Sequence, residues 1–425
     1  FKVQFVPISH SIPESSALII DTPAGRVVHS GDFKLDGTPV VGEAFDPKLW
    51  HDIAHEGQGI KVLTCDSTNV FRPQPGRSEA MLSNPLLEFV IAQQNMVVAT
   101  TFASNVARLK TLAEAGVAAG RKVCLLGRAM RKMVQVANET GILSQFPETI
   151  SPEEAAELPR EKVLLIVTGS QGERRAASAQ LARGRYLGIE LKEGDSFLFS
   201  STTIPGNERG VIRIMNQLSM KGVDVFDTED GLFHVSGHAN RPDLEAVHDL
   251  LKPQILIPMH GEHMHLREHA QLAREKGMAS EIAMNGQMLD LSGDEPKIVD
   301  EVDTGRIYLD GNVLIGAMDG VVRDRIRMAL NGHVLVSVIV DEDDQPLPDA
   351  WVDLMGLPEQ GRRGAPLADH IEGELADFLE SANDKTVADD AKLEEAVRRI
   401  VRQVSMEEIG KKPEVSVLIS RLAAG

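Results

Sequence analysis

The sequence contains few cysteines and no long apolar run. Only Cys65 and Cys124 occur among 425 residues, which excludes a disulfide framework and is typical of proteins from a reducing compartment. No apolar stretch approaches the roughly 18 residues that a membrane-spanning helix requires. The composition therefore predicts a cytoplasmic protein without a membrane span.

The sequence also lacks net positive charge, with a formal charge of −19 at pH 7. This excludes a protein that coats nucleic acid with a uniformly basic surface. It is compatible with a narrow basic channel, or with a metal site that neutralises phosphates locally. Charge alone therefore leaves the substrate class open.

A chain of 425 residues is too long for a single core, so two or three domains are expected. The first residue, Phe1, already lies in a strand-like pattern, Phe-Lys-Val-Gln-Phe. We therefore expect the sequence to begin partway through a domain.

Between residues 15 and 290, short apolar runs alternate with helical patterns. Strands are predicted at 17–21, 26–29, 61–65, 96–100, 122–126, 163–167, 196–199 and 254–258. Helices are predicted near 79–94, 104–119, 128–140, 172–184, 207–220, 242–251 and 263–276. This alternation indicates α/β layers with mainly parallel strands, whose binding groups gather on loops at the carboxyl ends of the strands.

The pattern changes after about residue 310. The dipeptide Asn331-Gly332 is a strong hairpin signal and predicts two strands around it. Helices at 366–381 and 387–408 and a final strand at 414–419 complete a small α+β domain of about a hundred residues, a common domain size.

Polar residues follow almost every predicted strand of the α/β region. Hydroxyls and free backbone N–H groups at helix starts bind anions, while imidazole and carboxylate groups bind zinc. The stretches are "PISHSIPES", "GDFKLDG", "CDSTN", "TFASN", "TGSQGE", "SSTTIPGNE", "HVSGHA" and "PMHGE".

Several of these polar residues have simpler interpretations. Ser104 and Ser170 are typical of helix N-caps, and Asp36 beside Gly37 is typical of a turn. Histidines on helical or exposed patterns are interpreted as ordinary surface or core residues; these are His51, His55, His269 and His333. His263 and His265 are predicted on the first helical turn after His260, facing away from any site.

His10, Asp32 and His260 remain as candidate metal ligands, because each lies at a strand end lined by glycine or serine. Their separation in the sequence means that spacing alone does not establish a site.

Taken together and in this order, the eight stretches resemble the motifs of the ribonuclease J family, in the β-CASP branch of the metallo-β-lactamase superfamily. The resemblance extends over essentially the whole chain. It implies an α/β fold: a metallo-β-lactamase αβ/βα sandwich formed by residues 1–75 and 233–310, an inserted β-CASP α/β domain at 76–232, and a C-terminal α+β domain at 311–425.

The resemblance also implies roles for individual residues. His10 corresponds to a zinc ligand, Asp32 to a carboxylate that bridges two metals, and His260 to a ligand of the other metal. Asp66 and His238 correspond to catalytic residues, with His238 facing the scissile phosphate. The substrate phosphate would be bound by His234, Ser236 and Gly237, with Ser201 and Thr203 as neighbours.

The family's site also requires a His-x-His-x-Asp-His motif N-terminal to "PISH", and no such string occurs in this sequence. The metal ligands of that motif would lie before Phe1. We therefore expect the working protein to carry an upstream segment; the alternative is a metal-poor, inactive form.

The resemblance implies a hydrolase with two zinc ions, or manganese in their place, that degrades messenger RNA and matures ribosomal RNA. It would act as a 5′-to-3′ exonuclease and an endonuclease on single-stranded RNA with a 5′ monophosphate, and assemble as a homodimer or homotetramer. Arginines are candidates to line the RNA channel with positive charge: Arg72, Arg77, Arg108, Arg128, Arg174 and Arg175.

Two other functions stay open. DNA-processing β-CASP nucleases usually carry an apolar residue at the position of His260, so this histidine favours RNA. A catalytically silent subunit that binds RNA or a protein partner is the non-enzymatic alternative. A lactamase or thioester hydrolase would lack the long insert and "HVSGHA".

Overall fold

The computed structural model describes residues 1–317 and 319–422 and divides the chain into two compact units, residues 1–302 and 303–425. Within the described part, no helix is both long and apolar enough to cross a membrane.

The first unit contains thirteen strands and nine α-helices. The strands are β1 (Lys2–Pro7), β2 (Ser16–Thr22), β3 (Gly25–His29), β4 (Ile60–Asp66), β5 (Val97–Thr100), β6 (Lys122–Leu126), β7 (Val163–Val167), β8 (Ser196–Phe199), β9 (Asp224–Phe226), β10 (Ile255–Met259), β11 (Ala279–Ser280), β12 (Gln287–Asp290) and β13 (Lys297–Glu301). The helices are α1 (Pro47–His55), α2 (Ser83–Ala92), α3 (Val106–Ala118), α4 (Arg128–Glu139), α5 (Pro152–Glu157), α6 (Ala177–Arg183), α7 (Glu208–Ser219), α8 (Arg241–Leu251) and α9 (His263–Glu275).

The first sheet has the order β1-β2-β3-β4-β10-β11. Strands β1 to β3 pair antiparallel, whereas β3, β4, β10 and β11 run parallel to their neighbours. One face packs against α1, α8 and α9 through buried residues such as Trp50, Leu63 and Leu244. Because β3, β4 and β10 are parallel neighbours, their carboxyl ends lie at one edge of this sheet.

The second sheet has the order β6-β7-β5-β8-β9 and is wholly parallel. All of its residues lie between β4 and β10 in the sequence, so the sheet is inserted between two neighbouring strands of the first. β5, β7 and β8 are fully buried, because apolar clusters cover both faces of the sheet. The structure confirms the predicted α/β class with an inserted α/β domain.

The N-cap interpretation of two serines is wrong. Asn105 begins α3, and its side chain accepts a hydrogen bond from the Arg108 backbone N–H. Asn and Ser are comparable caps, so the pattern could not separate Ser104 from its neighbour. Ser170 lies in a buried turn well before α6, which begins after Ala176.

The second unit is an α+β domain, as predicted. Its elements are β14 (Ile307–Asp310), β15 (Val313–Gly316), α10 (Val321–Asn331), β16 (His333–Val340), β17 (Trp351–Met355), α11 (Leu367–Ser381), α12 (Asp384–Val387), α13 (Asp390–Ile409) and β18 (Glu414–Arg421). β16 lies between β17 and β18, and α11 and α13 cover this sheet.

The predicted hairpin at Asn331-Gly332 is wrong. The residues before it form α10, and Gly332, with φ of 76°, ends that helix: its N–H bonds to the Met328 carbonyl. A left-handed glycine serves a helix C-terminus as readily as a hairpin turn, so the dipeptide did not distinguish them.

Candidate functional site

The three candidate metal ligands and Asp66 lie at strand ends along one edge of the first sheet. His10 lies between β1 and β2, Asp32 follows β3, Asp66 ends β4, and His260 follows β10. The parallel arrangement of β3, β4 and β10 therefore brings together residues that are far apart in the sequence.

Asp32 lies between the two candidate histidine ligands. Its Oδ2 is 3.7 Å from His10 Nε2, and its Oδ1 is 2.9 Å from His260 Nδ1. His260 Nδ1 is also 3.6 Å from Asp66 Oδ1. The side chains form two groups, His10–Asp32–His238 and Asp32–Asp66–His260, and within each group the ligand atoms lie within 4.8 Å of one another. Asp32 belongs to both groups.

The His10 ring is oriented as a neutral metal ligand. Its Nδ1 lies 2.6 Å from the Gly237 carbonyl oxygen, so Nδ1 carries the proton and donates it. Nε2 is then left with a lone pair directed towards Asp32. Burial lowers the pKa of His10, which keeps the ring neutral. In metal-binding histidines, the ring nitrogen that does not bind the metal typically donates a hydrogen bond, and this bond fixes the tautomer.

Gly237 is required at its position because it contacts the His10 ring. A Cβ atom at residue 237 would lie 2.7 Å from His10 Nδ1 and 2.7 Å from Ser11 Oγ. We expect Gly237→Ala to displace His10 and to weaken any divalent-metal binding at His10 about 10- to 100-fold, the usual effect of disturbing a group that orients a metal ligand. Isothermal titration with Zn²⁺ measures this. Gly37→Ala, which meets nothing within 4 Å, is the control; unchanged affinity in Gly237→Ala would contradict the assignment.

His260 adopts a strained backbone conformation, with φ of 63°, and Gly261 follows with φ of 89°. Such a conformation is uncommon for residues other than glycine and is often found at functional sites. The Asp66 and Asp32 carboxylates, which face the ring, raise the pKa of His260. The turn after β10 thus directs an imidazole towards two carboxylates.

Asp66 and His238 form a hydrogen-bonded pair, with 2.6 Å between Asp66 Oδ2 and His238 Nδ1. Burial alone would lower the pKa of His238, but the bond to Asp66 and the charges of Asp66 and Asp32 together outweigh burial, so the net pKa is raised. For Asp66 burial alone would raise the pKa, but His238 and His260 lower it overall. Thr68 also donates to Asp66 Oδ1, so the carboxylate stays ionised and fixed.

A cavity of about 680 Å³ adjoins His238, on the side where the inserted domain meets the first sheet. His234, Ser236, Gly237 and Thr203 line it, as do Thr202, Arg72, Phe71 and Phe102. Ser201 is only 6% exposed and is not among the lining residues.

His234 is held by a buried arginine. Arg108 Nη1 lies 3.3 Å from His234 Nδ1, and because arginine only donates, His234 Nδ1 accepts and its proton is on Nε2. Burial and then the charge of Arg108 lower the pKa of His234 to about 3. His234 is therefore a neutral donor at the wall of the cavity.

Arg108 does not supply charge to the channel, contrary to the sequence-based expectation. Its side chain is 0% exposed and paired with Glu79, with 3.0 Å between Arg108 Nη2 and Glu79 Oε2. The other five candidate arginines are exposed, and Arg72 lines the cavity.

Asn69 supports the site and was not singled out from the sequence. Its Nδ2 donates to Ser236 Oγ at 2.8 Å and to the His238 carbonyl at 3.2 Å. Asn69 thereby joins the loop after β4 to "HVSGHA". Its place in "CDSTN", three residues after Asp66, was the available signal.

Three family models match the chain. They are "Ribonuclease J, beta-CASP domain" over residues 94–218, "Zn-dependent metallo-hydrolase RNA specificity domain" over 232–284, and "Ribonuclease J C-terminal domain" over 320–422.

Curated proteins named Ribonuclease J are similar along nearly the whole chain. The Sinorhizobium meliloti protein is 40% identical over 423 residues, which cover 99% of this chain and 75% of that protein. The Mycolicibacterium smegmatis protein is 33% identical, covering 98% and 74% respectively, and the Helicobacter pylori protein is 30% identical, covering 98% and 60%. With its metallo-hydrolase and β-CASP domains, this chain belongs to the ribonuclease J family.

Proposed function

We propose that this chain hydrolyses phosphodiester bonds of single-stranded RNA with a 5′ monophosphate at a two-zinc centre, where manganese could substitute. It would act as a 5′-to-3′ exonuclease and an endonuclease. The observation that carries the proposal is the position of Asp32 between His10 and His260, at 3.7 and 2.9 Å, beside the Asp66–His238 pair. A metal-dependent nuclease needs such a concentration of ligands next to a cavity that admits a phosphate.

The residues fit divalent metals of the zinc and manganese type. Imidazole nitrogen and carboxylate oxygen are ligands for both, and the lone pair of His10 is already directed towards Asp32. His10 and Asp32 would hold one ion, and Asp32 and His260 the other, with Asp66 Oδ1 facing the second group. Bound metals would polarise the phosphodiester as Lewis acids.

His238 would assist proton transfer to the departing oxygen. The bond from Nδ1 to Asp66 fixes the orientation of the ring and stabilises its protonated form, as a carboxylate does for a catalytic histidine. A ring nitrogen of His238 lies within 4.8 Å of ligand atoms of His10 and Asp32. Asp66 would therefore support His238 with Oδ2 and face His260 with Oδ1.

The substrate phosphate would be bound by groups that donate hydrogen bonds without a formal charge. His234 Nε2–H and the Ser236 hydroxyl lie at the cavity wall with Gly237 and Thr203. Arg72, which lines the same cavity, would add positive charge near the phosphate backbone. Ser201, being buried, would act only through its neighbour Thr202.

The test is zinc binding and RNA digestion by the unmodified protein and Asp32→Asn. We expect the unmodified protein to bind zinc and to release mononucleotides from 5′-labelled RNA. Asp32→Asn should lose both zinc binding and mononucleotide release. Cleavage should fall more than about 100-fold, because losing a metal ligand costs more activity than losing a group that only orients a ligand. Asp353→Asn, an exposed carboxylate on β17, is the matched control.

The other outcomes separate the competing functions. Intact RNA beside cleaved DNA would favour a DNA nuclease. Zinc binding without cleavage of either substrate would indicate a silent RNA- or partner-binding subunit, and absence of zinc would contradict the metal centre.

We also propose a homodimer or homotetramer in the cytoplasm. The assembly follows from the family resemblance, and the cytoplasmic location follows from the cysteine usage. Light scattering after size-exclusion chromatography measures the assembly.

A further inference from the structure

Two buried histidines lie behind the candidate site. His248 on α8 and His269 on α9 are 2% and 0% exposed, and their Nε2 atoms are 3.0 Å apart. His269 Nδ1 is 2.8 Å from Ser67 Oγ. From the sequence His269 was an ordinary histidine, but its burial and both of its contacts require an explanation.

The hydrogen-bond partners of the two rings determine which nitrogen donates and which accepts in this network. Burial lowers the pKa of His248 to about 3 and that of His269 to about 4, so each ring carries one proton. Among the described residues, His248 Nδ1 has no hydrogen-bond partner. A buried N–H without a partner is rarer than a buried acceptor without one. The proton of His248 is therefore on Nε2, which donates to His269 Nε2.

The remaining protons follow in sequence. His269 then carries its proton on Nδ1 and donates it to Ser67 Oγ. The Ser67 hydroxyl is left to donate to the Cys65 carbonyl, 3.4 Å away. Every donor in this arrangement has an acceptor, whereas the reverse direction leaves a buried His248 N–H unpaired.

A metal ion is a poor alternative at this place, although Cys65 completes a group of three candidate ligands. The two ring centres are 5.1 Å apart with an angle of 12° between the planes, while the facing nitrogens are only 3.0 Å apart. The rings are thus edge to edge, with their Nε2 atoms directed at each other. A tetrahedrally bound cation needs the lone pairs of all its ligands to point at the cation, not at one another.

The network joins the elements that carry the candidate site. Ser67 follows Asp66, and its backbone N–H donates to the Met259 carbonyl at 2.8 Å, one residue before His260. α9 begins three residues after His260, and α8 begins three residues after His238. One hydrogen-bonded chain therefore connects the strand ends and helices around Asp66, His260 and His238.

We propose that Ser67, His269 and His248 form a buried relay of positioning residues that sets the orientation of Asp66 and His260 for metal binding. This rests on the proposed function, because the relay acts through the candidate metal centre. Its physical basis is general: groups behind metal ligands orient them, and their loss typically weakens metal affinity or activity about 10- to 100-fold.

Two substitutions of His269 separate positioning from packing. Asparagine places an amide near the former Nδ1 and keeps the bond to Ser67, while glutamine places one near Nε2 and keeps the bond to His248. Each removes one of two buried bonds, so similar losses of thermal stability are expected. We expect His269→Gln and Ser67→Ala to lose zinc affinity and kcat about 10- to 100-fold with little change in KM. His269→Asn should retain most of both, because His248 acts by fixing the tautomer of His269, and an amide donates to Ser67 without a tautomer to fix.

Zinc affinity and kcat are measured at temperatures well below the unfolding midpoint of each variant. Equal zinc affinity in His269→Asn and His269→Gln, or full affinity in Ser67→Ala, would overturn the relay. If the unmodified protein binds zinc but cleaves no RNA, the proposed function fails, while the zinc affinities still test the relay.

The proton positions provide a test that requires neither metal nor activity. In ¹⁵N-histidine-labelled protein, long-range ¹H–¹⁵N spectra distinguish protonated from unprotonated ring nitrogens. We expect His269 protonated on Nδ1 and His248 on Nε2. The opposite tautomers, or a charged ring at neutral pH, would overturn the relay.

Discussion

His238→Ala is expected to abolish RNA cleavage while leaving the fold and most of the RNA affinity intact. The side chain makes one strong contact, the 2.6 Å bond to Asp66, and adjoins the cavity rather than filling the core. Removal of a general acid typically costs about 10²- to 10⁴-fold in rate, and here the loss should fall on kcat. Single-turnover cleavage of 5′-labelled RNA measures the rate, and filter binding measures the affinity.

The control for this substitution is His51→Ala, another histidine of the first unit. His51 lies on α1 with its side chain 57% exposed. Among the described residues, its hydrogen bonds and ion pairs do not include the candidate site residues, so its replacement should leave cleavage and RNA affinity unchanged. Near-normal cleavage by His238→Ala would refute the proton-transfer role. A parallel loss of RNA affinity would instead assign His238 to substrate binding.

The strands of the inserted domain were predictable from the sequence. The predictions 122–126, 163–167 and 196–199 coincide with β6, β7 and β8. Parallel strands covered on both faces appear in a sequence as short continuous apolar runs, and here each is followed by polar residues. The local pattern and the tertiary environment therefore agree.

The C-terminal unit was less predictable, because one local signal had two meanings. The residues 321–331 combine apolar and charged side chains that suit a helix, and Asn331-Gly332 fits either a hairpin or a helix end. β16 pairs with β18, more than 70 residues along the chain, and not with residues immediately before the dipeptide. No local pattern reports a pairing over that distance.

The candidate metal ligands were selected from their positions at strand ends lined by glycine or serine, but only the resemblance to a family assigned them to a shared site. His10, Asp32 and His260 come from separate parts of the sequence, and the parallel order of β3, β4 and β10 brings them together. The supporting polar network behind them has no such motif. Ser67 and His269 are in contact although they are 202 positions apart in the sequence, and burial of either residue cannot be inferred from its neighbours.

Arg108 is the plainest case of a residue whose role depends on tertiary structure. In the sequence it is one cationic residue on a helix, and a solvated or channel-lining position is the natural expectation. In the fold its guanidinium bonds to Glu79, to the Ser200 carbonyl and hydroxyl, and to the Phe233 carbonyl. Arg108 therefore joins the inserted domain to the segment that carries His234.

Arg108→Met is expected to destabilise the protein by about 3–5 kcal/mol, the usual cost of removing one partner of a buried ion pair. Glu79, which is 4% exposed, would be left as an uncompensated charge, and the carbonyls of Ser200 and Phe233 would lose a donor. Urea unfolding measures the free energy, and Arg209→Met, an exposed arginine of α7, should change it little.

The double variant Glu79→Leu/Arg108→Met separates the cost of the unpaired charge from the value of the pair. If the single-variant loss arises mainly from the charge on Glu79, the double variant should be more stable than Arg108→Met, because two apolar side chains can replace a buried pair at little cost. Equal stability of the single and double variants would show instead that the lost bonds to the carbonyls dominate. In both variants His234 loses the donor at Nδ1, so its fixed tautomer should disappear even where stability is recovered. The stability of the fold and the tautomer of His234 at the cavity wall thus depend on different bonds of one guanidinium.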